Sequence, residues 1–98
     1  MTKEEILFDG EWLFQLAQMY NPCNPDKEVA KITSIEEWTS THDDSAIFIK
    51  LLDSDGKTLW ETDYDVIYGN YSGAKADALT GYLQEKFHCP VEKKWFGP

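Results

Sequence analysis

Apolar residues recur along this chain at two different periods. Ile6, Leu13, Leu16, Ala17 and Tyr20 fall near one helical face, and Ala76, Leu79, Tyr82, Leu83 and Phe87 share another. Between these segments the period drops to two. In residues 28–40, EVAKITSIEEWTS, Ala30, Ile32 and Trp38 alternate with Val29, Lys31, Thr33 and Glu37, the pattern of a long strand. Residues 46–52, AIFIKLL, are apolar on both sides apart from Lys50, as in a central strand covered on both faces. Residues 59–67, LWETDYDVI, return to strict alternation and predict a third strand from Lys57 to Tyr68.

The residues between these runs set the boundaries. Thr2 to Glu5 reads as a capping box, and Asp9 is an equally good N-cap, so the first helix has two candidate starts before Asn21, Pro22, Asn24 and Pro25 end it. Ser34 to Glu37 is a second capping box, which makes a short helix through Trp38 the rival of the first strand. THDDS supplies a polar turn and DSDG a tight one with Gly56 available for positive φ. GNYSG leads to Ser72 as the N-cap of the last helix, which carries Gly81 in its interior and stops at Pro90. VEKKW then adds a short edge strand or trails off.

The expected fold class is α+β, a helix, a three-stranded antiparallel β-meander and a helix (αβββα), with the helices on one face of one sheet. The order resembles, in outline, that of double-stranded-RNA-binding domains. Those carry a lysine-rich start to the second helix, where this chain has Ser72, Gly73, Ala74, Lys75, Ala76 and Asp77, so no binding residue carries over.

Composition narrows the function classes. Ninety-eight residues, 42% hydrophobic, make one domain over 1–98, with no repeat and no second core. No apolar run approaches the ~20 residues of a membrane span, and MTKEEILFDG has neither the basic start nor the apolar stretch of a signal peptide, which reads as a soluble, cytoplasmic protein without a membrane partner. Cys23 and Cys89 are then expected as reduced thiols. Eighteen acids against nine lysines give a net charge of -9, and arginine is absent. Without arginine the chain lacks the side chain that grips phosphate and guanine bidentately, so direct nucleic-acid binding is not expected. The acidity steers instead toward basic protein surfaces, or serves only solubility.

Motifs for chemistry are missing. Cys23, His42, His88 and Cys89 lack the paired spacing of a zinc site. An EF-hand loop with its glycine at Gly56 runs from Leu51 to Thr62 and loses both acidic anchor positions. His42 beside Asp43 and Asp44, and Cys89 beside His88, are sequence neighbours, which seldom hold catalytic geometry. The expectation is no enzyme, no metal and no cofactor.

What remains is the acidic run. On a strand, Glu61, Asp63 and Asp65 share one face at ~6.6 Å spacing, backed by Trp60, Thr62, Tyr64 and Val66. Lys31, Lys50 or Lys57 on a neighbouring strand neutralise it, or a basic partner does. The expected partner-binding set is Glu61, Asp63 and Asp65, flanked by Asp53, Asp55, Asp43, Asp44, Trp60, Tyr64 and Tyr68. Three charges over ~13 Å are too sparse to mimic duplex DNA alone, which places ~8 over that length, but Asp43, Asp44, Asp53 and Asp55 at nearby loops raise the density and keep nucleic-acid mimicry as the strongest form of this reading. In size and charge the chain resembles phage-encoded antagonists of host nucleases and toxin-neutralising immunity proteins. The expected function is an inhibitor or antagonist covering a basic site on a nuclease, a toxin or another nucleic-acid-binding protein. The alternative is a structural or accessory subunit, homo-oligomers included, that assembles through aromatics such as Trp95 and Phe96.

Overall fold

The computed structural model describes residues 9–39, 44–69 and 71–96. Asp9 is the operative start of the first helix: its side chain accepts a hydrogen bond from the Trp12 backbone N–H at 3.1 Å. Helix α1 spans Gly10–Tyr20, buries Leu13, Phe14 and Ala17, and ends where the Asn21 N–H bonds the Ala17 carbonyl. The Thr2–Glu5 capping box lies outside the described residues.

Strands β1 (Lys31–Thr39), β2 (Asp44–Leu52) and β3 (Thr58–Glu61), helix α2 (Ser72–Phe87) and strand β4 (Val91–Phe96) follow. The sheet order is β3-β2-β1-β4. β1 and β2 pair antiparallel, as do β2 and β3, while β4 pairs parallel with β1. The α+β class and the central place of the AIFIKLL strand agree with the sequence pattern. The edge strand expected at VEKKW is also present as β4, but it pairs parallel with β1, so the sheet is mixed and four-stranded and not a strict three-stranded meander.

Three boundaries differ from expectation for local reasons. β1 begins at Lys31, although the Ala30 N–H already reaches the Leu52 carbonyl at 2.8 Å. The Ser34–Glu37 capping box is overridden by pairing, since Ser34 lies buried opposite Ile49 in mid-sheet. Ser72 is the first helical residue and not a cap; Tyr71 holds that position at φ 66° without a capping side-chain bond.

The helices cover one face of the sheet. Ile32, Ile47, Ile49, Leu51 and Trp60 from the strands form the core with Leu13, Phe14, Ala17, Ala76, Leu79 and Leu83 from the helices. α1 and α2 touch at Gly10, where an added Cβ would sit 2.2 Å from the Ala78 carbonyl oxygen. Phe14 fills the space beneath, edge-on to Trp60 at 5.6 Å and tilted against Tyr82 at 5.7 Å. Among the described residues no helix covers the other face. Its registered rows read Glu61, Lys50, Thr33, Glu92 and then Phe48, Ile35, Lys94. The charges on this face are paired: Lys50 with Glu61 in the first row, and Glu92 with Lys31 and Lys94 from its neighbours. β2 is therefore shielded by a helix layer on one side only.

Candidate functional site: the acidic loop after β3

The run of residues 57–68 begins along β2 but is not one strand. After Glu61 the chain keeps one more rung through Thr62, whose N–H donates to the Ile49 carbonyl while its hydroxyl oxygen accepts from the Ile49 N–H, both at 3.0 Å. The hydroxyl thus replaces a backbone acceptor and frees the main chain to leave the sheet. Pairing resumes where the Ile67 carbonyl accepts from the Ile47 N–H at 3.0 Å and Tyr68 bridges Ala46. Only Phe48 stands between Ile49 and Ile47 on β2, against four residues between Thr62 and Ile67 opposite, so Asp63, Tyr64 and Asp65 are pushed out as a loop.

Asp63 builds that loop. Its carboxylate accepts from the Asp65 N–H at 3.1 Å, and its carbonyl accepts from the Val66 N–H at 3.1 Å. This corrects the ladder expected at Glu61, Asp63 and Asp65: the three acids cluster at a strand end and a turn, not at strand spacing. Glu61 has the cross-strand lysine foreseen for the array, with Lys50 Nζ 3.6 Å away. Among the described residues, Asp63 and Asp65 have no lysine in ion-pair range.

Two aromatics of the expected set stay with the loop. Tyr64 stacks on Tyr68 at 5.8 Å and 16°, and tilts against Phe48 at 6.2 Å. Trp60 does not. It is buried, with its indole N–H donating to the Asn21 carbonyl at 2.7 Å. The Asn21 side-chain amide returns a bond to the Glu61 carbonyl at 2.8 Å, so one asparagine clamps the end of α1 to the end of β3. Beside this clamp lies an open cavity of about 330 Å³, lined by Tyr20, Asn21, Phe48, Glu61, Thr62, Asp63 and Tyr64. Tyr20, Asn21 and Phe48 were not singled out as site residues from sequence. Asn21 reads there only as a helix stop, and a contact 40 residues away leaves no local pattern.

The remaining acids stand elsewhere. Asp53 is buried in the β2–β3 turn, where one carboxylate oxygen accepts from the Asp55 and Lys57 N–H groups at 2.9 Å each and Gly56 sits at φ 83°. These amides, the Lys57 one first, hold its carboxyl below the usual value of 3.8, with Lys27 Nζ 3.9 Å from the other oxygen. Asp55 is exposed on the same turn, at the end of β3 away from the loop. Asp44 opens β2 opposite Thr39, and Asp43 lies outside the described residues. The nine expected residues that are described therefore occupy separate places, and among them Glu61, Asp63, Tyr64, Asp65 and Tyr68 come together at the surface.

Cys23 and Cys89 are unbonded, and burial pushes both above the usual thiol value of 9.0, with Lys86 opposing the shift at Cys23. Such thiols hold little nucleophilic thiolate. His88 caps the end of α2 at φ 54°, and His42 lies outside the described residues. Among the described residues no three His, Cys, Asp or Glu side chains are placed to hold a metal ion, and no helix is long and apolar enough to cross a membrane. Compared with known proteins, the chain matches no family model, no curated protein and no solved structure.

Proposed function

We propose that the protein is a binding module that engages a basic surface of a partner protein through the loop of Glu61, Asp63, Tyr64, Asp65 and Tyr68. The observation that carries this reading is the extrusion of that loop: Asp63 and Asp65 make no ion pair with a described lysine, and they stand beside a stacked tyrosine pair that supplies contact area. The net charge of -9 adds long-range attraction toward a basic partner. In its sharpest form the module is an inhibitor that covers a nucleic-acid-binding site of a nuclease or toxin, and it works without catalysis of its own.

The test uses the protein as bait for lysate of its source cell, and then measures association of the captured basic partner with the wild type and with the triple variant Glu61→Gln, Asp63→Asn, Asp65→Asn. The expected outcome is elution by rising salt and an association rate lower by about tenfold in the variant. An unchanged rate and salt dependence would sink the proposal.

A second reading rests on a different patch. Trp95 and Trp38 are 54% and 37% exposed on the sheet face that carries the helices. Trp95 lines an open cavity with Glu36, Gly73 and Asp77 at the start of α2. An accessory subunit assembling through these indoles gives capture that salt does not disturb.

A further inference from the structure

Five of the seven residues lining the cavity beside the acidic loop favour the same kind of occupant. Tyr20, Phe48 and Tyr64 contribute aromatic rings, whose faces are electron-rich. Glu61 and Asp63 contribute carboxylates. The end of α1 contributes the negative pole of the helix dipole, and its last turn has no basic residue to offset it. Among the described residues no lysine lines the cavity. Both carboxylates keep acceptor capacity: Lys50 stands 3.6 Å from Glu61, beyond the length of a charge-assisted hydrogen bond, and Asp63 spends one oxygen on the Asp65 N–H.

Cation-favouring rings next to carboxylates suit a flat, weakly hydrated cation better than a compact ammonium. A guanidinium stacks on an aromatic face and at the same time presents paired N–H donors to a carboxylate at its edge. We infer that this cavity receives an arginine side chain of the partner, a step that rests on the binding-module reading above. The chain itself contains no arginine, so the occupant comes from a different protein and not from a second copy.

The test is a titration of the isotope-labelled protein with N-acetyl-arginine methylamide, followed by NMR shifts at constant ionic strength. Its citrulline counterpart serves as the neutral isostere and its lysine counterpart as the compact cation. The expected result is saturable shifts at the Asn21 side-chain amide, Thr62, Asp63 and Tyr64 with arginine, none with citrulline, and several-fold weaker binding with lysine. Asp63→Asn and Tyr64→Leu each weaken arginine binding by about threefold to tenfold, with spectra elsewhere unchanged. No saturable shift, shifts centred elsewhere, equal shifts with citrulline, or lysine as strong as arginine overturns the assignment. The two proposals fail separately. Partner binding that depends on Glu61, Asp63 and Asp65 without any response to arginine removes the cavity assignment alone, whereas an arginine response with an unaffected partner removes the loop reading and with it the partner as the source of the arginine.

Discussion

At the scale of single residues, Thr62 is the pivot of the site. Its side chain is buried, and its hydroxyl oxygen is the acceptor for a mid-sheet amide. Thr62→Val keeps the shape and removes that acceptor, so the Ile49 N–H loses its partner in the core. A loss of about 1–3 kcal/mol is expected in chemical denaturation, together with faster amide exchange at Ile49. A variant as stable as the wild type would show that water or a backbone shift replaces the hydroxyl. This role was not legible in the sequence, where Thr62 reads as one more position in an alternating strand. Asp9 was legible, because an N-cap acts on amides within its own turn. Asp53 was legible as a turn residue, but its burial was not, since that depends on how the turn packs against neighbouring chain.

At the scale of elements, two glycines in the helices make opposite predictions. Gly10 opens α1 against the backbone of α2, with 2.2 Å for an added Cβ, whereas an added Cβ at Gly81 meets nothing within 4 Å. Gly81→Ala should stabilise by about 0.5–1 kcal/mol, through helix propensity alone. Gly10→Ala should destabilise by about 1–3 kcal/mol, because backbone cannot yield as a side chain does. Thermal melts of the two single variants check both signs, and a stabilising Gly10→Ala would mean that the helices can slide apart freely. The sequence exposed each helix by its periodic apolar face and each strand by its alternation. It misplaced the end of β3 because the loop residues go on alternating: Tyr64 and Val66 fall in step with Trp60 and Thr62 although the backbone has turned. Periodicity reports side-chain polarity, and it carries no record of which amides are paired.

At the scale of the whole molecule, two carboxylates tie stability to pH. Asp53 is held below 3.8 by turn amides, and Glu92 below 4.5, chiefly by its bond from Lys31 and then by Lys94. A carboxyl depressed in the folded state contributes stability that is complete above the ordinary carboxylate range and is lost as pH falls through the folded value. Protonation also relieves the repulsion of a -9 chain, which opposes the loss, so comparison with Asp53→Asn isolates the Asp53 share. Denaturation midpoints should fall less between pH ~6 and ~3 in Asp53→Asn than in the wild type. An equal fall would remove Asp53 from the account. The class of the fold was visible in the order of its elements, and the acidity of its surface in the composition. The parallel place of β4 was not, because Val91 meets Ile32 only after a helix has carried the chain back across the sheet.

That late pairing has a consequence for the nascent chain. β1 and β2 can zip together soon after they are made, and β3 can join them, but β1 keeps an open edge until β4 has been synthesised and delivered by α2. While the chain is being made the sheet therefore carries a temporary sticky border along Ile32 to Glu37, and the arrival of β4 beside β1 is what closes it.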